Sequence, residues 1–165
     1  MKKFIKEIYP YLIIIIVVVL IRSFIITPVV VSGDSMYPNY KDNEVLLLSK
    51  LSDDIERFDV VVINNDDKII KRIIGLPGDT VEYKDNVLYI NGEKVKEDYK
   101  HGETYDFDVS EISKYEKIPK GYYLALGDNR EVSADSRVYG LFSEDKIDGK
   151  VVVRIWPINR IGLID

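Results

Sequence analysis

Two residues of the sequence could together break a peptide bond: Ser35, in the segment SGDSMYPN, and Lys71, in the segment IIKRII. A serine hydroxyl is a weak nucleophile until a neighbouring base takes its proton. The chain has no cysteine, which excludes a thiol nucleophile, disulfides and cysteine-ligated zinc. Its one histidine, His101, lies in a polar run that is typical of a solvated loop, so it is not expected to act as the base. A single histidine also cannot form a multi-histidine metal site. The base must therefore be a lysine, a carboxylate or a second hydroxyl.

Lys71 stands out among the possible bases because isoleucines surround it. Side chains alternate between the faces of a strand, so Lys71 shares a face with Ile69 and Ile73, and Arg72 points the other way. A free lysine is protonated at neutral pH, but burial among aliphatic side chains disfavours the ammonium and lowers the pKa. These residues alone leave two interpretations equally open: a buried lysine that acts as a base, and a lysine that snorkels at a sheet edge.

An apolar N-terminal run is the strongest compositional feature of the chain. Three lysines precede it, and Pro10 and Pro28 bound it. As a helix, residues 10–27 would span roughly 27 Å, close to the ~30 Å hydrocarbon core of a bilayer. The run is long for a secretory signal peptide, which favours an anchor, although Val30-Val31-Ser32 loosely fits a cleavage pattern. The positive charges that precede the run orient it. We predict a cytoplasmic segment at 1–9, a transmembrane anchor at 10–27 in the cell membrane, and an extracytoplasmic domain at 28–165.

Short apolar segments separated by turns predict a mainly β domain after residue 28. Turn signals occur at 77–79, 84–86 and 91–92, and no helix is predicted outside the anchor. A polar, tyrosine-rich stretch at 97–120 is predicted to be an exposed insertion. The acidic net charge of −5 argues against nucleic acid as a partner. The predicted strands are 44–51, 58–64, 68–75, 80–84, 86–90, 122–127 and 150–156.

Four segments resemble, in order and behind an anchor, the conserved blocks of bacterial type I signal peptidases. They are SGDSMYPN, FDVVVIN, KRIIGLPGDTVE and GDNREVSADSRVYGLF, and the similarity covers residues 10–90 and 121–156. The single predicted span is similar to the compact Gram-positive type. The resemblance implies an antiparallel β-sheet catalytic domain with a small β insertion. It also implies a membrane-bound serine endopeptidase that removes signal peptides from exported preproteins after small residues at −3 and −1, without a cofactor or metal.

The same resemblance implies a serine–lysine dyad. Ser35 would be the nucleophile, Lys71 the general base, and Ser133 a hydroxyl that hydrogen-bonds to Lys71 and orients it. The backbone N–H of Ser35 would be one oxyanion donor. Some family members supply the second donor from a serine where this chain has Gly33, so the second donor is not identified. Met36 is expected beside the substrate pocket.

Further residues match charges that brace the site in the family, with Arg72 expected to pair with Asp128 and Arg137 with Asp135. Asp34 fits the Gram-positive pattern and is assigned no chemical role. Asn39 replaces the threonine of many members, and we expect no effect of this replacement on catalysis. The full set of bracing charges is Arg72, Asp128, Arg130, Asp135 and Arg137.

Two other functions remain compatible with these motifs. One is a specialised peptidase that serves a narrow client set, such as pilus subunits, which no residue distinguishes from a general enzyme. The other is an inactive membrane-bound homologue, which the presence of both Ser35 and Lys71 disfavours.

Overall fold

The computed structural model describes residues 8–16, 18, 26–50 and 54–164. Residues 8–16 and 18 are helical. Across these ranges, no helix is both long and apolar enough to cross a membrane. Residues 1–7 of the predicted cytoplasmic segment, and residues 17 and 19–25 of the predicted anchor, lie outside the described residues.

The first strand begins inside the predicted anchor, at Ile26. Ile26 and Thr27 pair with Ser49 and Leu48 of the next strand. The anchor predicted over residues 10–27 stays a prediction, and its last two residues belong to this strand. Continuous apolar composition does not separate a lipid-facing run from a strand that follows it directly. This strand was therefore not predicted.

The prediction of a mainly antiparallel β fold is confirmed. All the seven predicted strands are present, although their ends differ by up to three residues. Shorter elements, which have too few residues to show alternation, were not predicted. The strands are β1 (Ile26–Val30), β2 (Val45–Ser49), β3 (Val60–Asn65), β4 (Asp67–Gly75), β5 (Val81–Lys84), β6 (Val87–Ile90), β7 (Glu93–Val95), β8 (Phe107–Asp108), β9 (Tyr122–Leu126), β10 (Phe142–Ser143), β11 (Ile147–Trp156) and β12 (Gly162–Leu163).

These strands form two sheets. The larger has the order β1-β2-β11-β3-β4-β9-β10, with β12 paired to β11, and the smaller has the order β7-β6-β5-β8. The long strand β11 lies between β2 and β3, so a segment near the C-terminus completes the middle of the larger sheet. Two short α-helices, Val109–Ile112 and Ser136–Tyr139, and two 3₁₀ helices, Glu144–Lys146 and Ile158–Arg160, complete the fold.

Tight turns join the strands of the smaller sheet where the sequence predicts them. Asp85 and Asn86 connect β5 to β6, and Asn91 and Gly92 connect β6 to β7. All four residues have positive φ angles, between 50° and 82°. Two-residue hairpins require this conformation, and Asn, Asp and Gly adopt it at the lowest cost. The hairpins therefore form as predicted.

Half of the residues in the stretch 97–120 are exposed, as predicted for an insertion, but the stretch also contributes buried side chains to the core. Phe107, Val109 and Ile118 are buried in one core cluster together with Val81 and Leu88 of the smaller sheet. Three apolar side chains spaced irregularly along a polar segment give no periodic signal, so composition alone suggested exposure. The segment is part of the packed domain.

Candidate active site

A turn after β1 carries Ser35. The amide of Tyr37 donates to the Asp34 carbonyl at 3.0 Å, and the amide of Tyr40 donates to the Met36 carbonyl at 2.9 Å. Met36 is buried in the core cluster formed by β1, β2, β3, β4 and β11, and this packing holds the turn in place. Ser35 itself stays partly exposed. We call residues 31–40 the nucleophile loop.

Lys71 lies in the middle of β4, where it pairs with Val61 of β3. Only 2% of its surface is exposed. Its Nζ lies 2.9 Å from Ser35 Oγ and donates to the Ile70 carbonyl at 3.0 Å. A lysine this deeply buried does not snorkel at a sheet edge, so that interpretation is excluded.

The surroundings of Lys71 favour its neutral amine. Burial lowers the pKa of Lys71 to about 8, against the opposing pull of Asp135 and Asp128, whose negative charges raise it. At neutral pH, about one amine in ten would then be unprotonated, compared with fewer than about one in a thousand for a free lysine. A neutral amine in hydrogen-bond contact with a hydroxyl can take the hydroxyl proton.

The segment that follows β9 fixes the back of the nucleophile loop. The amide of Asn129 donates to the Ser35 carbonyl at 3.0 Å, and Asn129 Nδ2 donates to the Asp34 carbonyl at 3.1 Å. A Cβ at Gly127 would lie 2.5 Å from the Ser35 carbonyl oxygen and 2.2 Å from Ser133 Oγ. Only glycine leaves room for this approach.

Ser133 is buried, but its predicted hydrogen bond to Lys71 is not formed. Ser133 Oγ has no hydrogen-bond partner among the described residues. The hydroxyl packs against Gly127, while the Lys71 amine is satisfied by Ser35 and the Ile70 carbonyl. The role of Ser133 in orienting Lys71 stays a prediction, and the structure shows no direct hydrogen bond between the two side chains.

The predicted ion pairs are both present. Arg72 binds Asp128 through two bonds of 2.8 and 2.7 Å, and Arg137 binds Asp135 through two bonds of 2.9 and 2.8 Å. Asp135 also accepts from the Gly127 amide at 3.0 Å and caps the helix that follows it. The two pairs hold both ends of the segment 127–137.

Arg130 connects the segment 127–137 to the stretch 97–120 through hydrogen bonds and an ion pair. Its guanidinium binds Glu97, donates to Tyr83 Oη and Tyr99 Oη at 3.0 Å, and donates to Thr104 Oγ1 at 2.6 Å. The charge of Arg130 and the bond from Tyr99 lower the pKa of Glu97 below its usual value, although burial opposes this. Arg130 was predicted to brace the site, but Glu97 was missed because nothing in its local sequence marks a buried acid.

A second group of charges that sequence reasoning missed supports the nucleophile loop from the other side. Glu44 is buried and pairs with Arg154, at 2.9 Å, and with Arg160. Both arginines also donate to the Asn39 carbonyl, at 2.7 and 3.0 Å. These residues lie more than a hundred positions apart, and no sequence signal connects them.

Comparisons with known proteins agree with this geometry. A family model described as signal peptidase, peptidase S26, matches residues 2–156. Signal peptidase IB of Staphylococcus aureus is 43% identical, with 88% of this chain and 85% of that protein covered. Signal peptidase I of Bacillus caldolyticus is 38% identical, with 93% and 92% covered. The chain belongs to the signal peptidase family.

A solved structure gives the same answer for the fold. The crystal structure of a signal peptidase I from Enterococcus faecalis superimposes with a TM-score of 0.54 at 38% identity, and covers 59% of this chain and 96% of that one. The activity of the present chain is that of signal peptidase I, a serine endopeptidase that cleaves signal peptides. The family resemblance seen in the sequence is confirmed.

A small cavity of this signal peptidase opens beside the dyad. Its volume is about 60 Å³, which is room for only small groups. Five of its nine lining residues are apolar, and Met36, which was expected beside the substrate pocket, is one of them. The lining residues are Val30, Val31, Ser32, Ser35, Met36, Lys68, Ile69, Ile70 and Lys71.

One edge of β4 lies open next to this cavity. β3 pairs with β4 from Asp67 to Arg72, but β9 pairs with β4 only from Arg72 onwards. Within the described ranges, β1 is likewise an edge strand of the larger sheet. The backbone of the segment 68–71 can therefore accept an extended peptide by strand addition.

Gly33 supplies no side-chain donor near Ser35, and its own amide is already engaged. That amide donates to Asp42 Oδ1 at 2.8 Å. The Gly33 φ angle of 76° turns the chain sharply just before Ser35, in a conformation that glycine adopts readily. Across the residues described, no group of three or more His, Cys, Asp or Glu side chains could hold a metal ion.

Proposed function

We propose that this signal peptidase is anchored in the cell membrane and cleaves exported preproteins outside the cytoplasm, after small residues at −3 and −1. Ser35 is the nucleophile and Lys71 is the general base. The observation that carries the proposal is the 2.9 Å contact between Ser35 Oγ and a Lys71 amine that is buried and has a lowered pKa.

In the acylation step, neutral Lys71 takes the proton of Ser35 Oγ as that oxygen attacks the carbonyl carbon of the −1 residue. The carbonyl oxygen becomes an oxyanion, for which the Ser35 amide is the proposed first donor. Lys71, now an ammonium, gives its proton to the nitrogen of the +1 residue as the peptide bond breaks. The mature protein leaves, and the signal peptide stays bound to Ser35 as an ester.

In the deacylation step, neutral Lys71 takes a proton from a water molecule, which attacks the ester carbonyl. Lys71 then returns the proton to Ser35 Oγ, and the signal peptide is released with a free carboxylate. One water is consumed, and both residues regain their starting states.

The size and lining of the cavity support the choice of substrate. A cavity of about 60 Å³, lined by Val30, Val31, Met36, Ile69 and Ile70 beside the polar dyad, accommodates alanine-like side chains and rejects larger ones. An extended substrate that adds to the open edge of β4 would place alternate side chains, at −1 and −3, on the same face toward the cavity.

The membrane anchor supports the same substrate class. An anchor over residues 10–27, followed within a few residues by the nucleophile loop, would hold that loop near the bilayer surface. Signal peptides are themselves inserted in the bilayer, so confining both partners to one plane raises their effective concentration.

The test is cleavage of a preprotein by the detergent-solubilised full chain and its variants. Ser35→Ala and Lys71→Ala should each reduce kcat by about 10³-fold or more, as in other hydrolases whose nucleophile or base is removed. Ser110→Ala and Lys84→Ala are matched controls on exposed positions and should cleave as the wild type does. Wild-type rates in either active-site variant would rule out the dyad.

A further inference from the structure

Asn39 makes two hydrogen bonds with one amide group. Its Nδ2 donates to the Lys100 carbonyl at 2.6 Å and to Asp128 Oδ2 at 2.7 Å. A carbonyl and a carboxylate can only accept, so the amide nitrogen must face both of them. Each hydrogen of the amide thus has its own acceptor.

These two bonds join three parts of the molecule. Asn39 belongs to the nucleophile loop. Lys100 belongs to the segment 97–104, whose residues Glu97, Tyr99 and Thr104 bind Arg130. Asp128 is fully buried and binds Arg72, the neighbour of Lys71 in β4. The side chain of Asn39 therefore lies where the carriers of the nucleophile and the base are connected.

The backbone of Asn39 is held as firmly as its side chain. Its carbonyl accepts from Arg154 and Arg160 on the side of the loop that faces the C-terminal segment. Asn39 lines a separate open groove of about 540 Å³ and does not line the small cavity beside the dyad. It thus contacts the support of the active site and not the proposed substrate path.

We propose that Asn39 is a positioning residue, which sets the distance between Ser35 Oγ and the Lys71 amine by bridging Asp128 and the Lys100 carbonyl. The inference rests on the proposed roles of Ser35 and Lys71. It differs from the expectation that a threonine at this position would serve equally well. A threonine hydroxyl has one hydrogen to donate, so it can satisfy one of the two acceptors but not both.

A charge introduced at position 39 would also act on the pKa of Lys71. Asp128 and Asp135 both raise the pKa of Lys71, so an added carboxylate beside Asp128 would raise it further. The amide of Asn39 contributes no charge and leaves the amine easier to deprotonate. The titratable and charged groups around Asn39 and Lys71 are Tyr40, Glu44, Lys68, Arg72, Asp98, Tyr99, Lys100, Asp128, Asp135, Arg154 and Arg160.

A graded series of variants of the full chain in detergent tests the proposal. Asn39→Thr keeps one donor, Asn39→Leu keeps the approximate size and no donor, and Asn39→Asp replaces donors with a charge. Hydrogen bonds to charged groups predict a loss of about tenfold or more in kcat for Asn39→Leu, a smaller loss for Asn39→Thr and the largest loss for Asn39→Asp. KM for a signal-peptide substrate should stay within about twofold, because Asn39 does not line the cavity.

The pH profile separates positioning from general damage to the fold. The acidic limb of kcat should move to higher pH in Asn39→Asp and stay near the wild-type position in Asn39→Thr. Asn64 is exposed on β3, so Asn64→Leu and Asn64→Asp serve as controls for size and charge, and neither should change kcat. Thermal melting of each variant verifies that it is folded.

Several outcomes would overturn the inference. Wild-type kcat in Asn39→Leu excludes a positioning role, and wild-type kcat in Asn39→Thr excludes the need for two donors. A rise in KM with unchanged kcat assigns Asn39 to substrate binding instead. If Asn39→Asp does not fold, the comparison of threonine and leucine decides. Activity of Ser35→Ala or Lys71→Ala, in contrast, would contradict the proposed function itself.

Discussion

Lys71, the proposed general base, lies in an environment that disfavours a charge and within 2.9 Å of Ser35 Oγ. The folded-state pKa of about 8, against an ordinary value of 10.5, means that folding disfavours the charged amine by about 3 kcal/mol. Because the pKa of a cationic group is lowered, this destabilisation is fully present below pH 8 and disappears as the pH rises through 10.5. The protein tolerates the cost at neutral pH and gains a usable base.

The pH dependence of cleavage should follow this titration. We expect kcat of the wild type to rise about tenfold per pH unit below about pH 7 and to level off above pH 8, because the active form contains neutral Lys71. The measurement is a single-turnover profile on a fixed preprotein. A rate that keeps rising to pH 10 would show that Lys71 has the pKa of a free lysine.

The residue types of the dyad were predictable, but their supports were not. Ser35 and Lys71 are marked by their short local motifs and by the isoleucines around the lysine. Ser133 was assigned a bond that the structure does not form, and Asn39 was assigned no role although it bridges two acceptors. Hydrogen bonds between residues 61 or more positions apart depend on tertiary packing, which no local pattern encodes.

The segment 127–137 is the element that brings the supports of the dyad together. Its fixed points are the Arg72 and Arg137 ion pairs at its ends and Arg130 in its middle. Strand β9 and the hairpins of the smaller sheet were predictable from alternation and turn chemistry. The packing of residues 97–108 around Arg130 was not, since buried polar contacts have no periodicity.

Removing the charge of Glu97 should loosen this element. Glu97→Gln leaves the buried Arg130 without its counter-charge, and breaking such a pair costs about 3–5 kcal/mol in the free energy of unfolding. Because the pKa of Glu97 is lowered in the folded state, its contribution is present above the ordinary glutamate pKa and is lost as the pH falls. Urea denaturation at pH 7 and at successively lower pH measures both effects.

Glu93 in β7 is exposed and provides the matched control, because Glu93→Gln should change the unfolding free energy by less than about 0.5 kcal/mol. The deficit of Glu97→Gln should shrink at acid pH, where the wild-type carboxylate is also neutral. A deficit that stays constant with pH would indicate lost packing and not a lost charge pair.

Segments from opposite parts of the sequence contact the nucleophile loop. β1 leads into the loop. β11, at residues 147–156, lies in the middle of the larger sheet. The 3₁₀ helix Ile158–Arg160 then carries Arg160 to Glu44 and to the Asn39 carbonyl. This closure joins residues over a hundred positions apart, so it could not be predicted from the sequence.

Glu44 and Arg160 should therefore be energetically coupled to each other. Glu44→Gln leaves two arginines beside a buried site without a counter-charge and should lower the unfolding free energy by about 3 kcal/mol. Arg160→Ala, at a partly exposed residue, should cost about 1 kcal/mol. Because both changes remove the same pair, the double variant should be less destabilised than the sum of the two, by at least about 0.5 kcal/mol.

Chemical denaturation of the full chain in detergent completes this double-mutant cycle, with Lys94→Ala at an exposed position as the uncoupled reference. Arg160→Ala should also lower kcat and leave KM nearly unchanged. The Asn39 carbonyl loses one of its two arginine donors, whereas the cavity beside the dyad is not altered. Strict additivity of the two free-energy changes would mean that the C-terminal segment packs against the loop without supporting it. Coupling between the two residues together with a fall in kcat would instead show that the 3₁₀ helix Ile158–Arg160 supports the proposed catalytic centre.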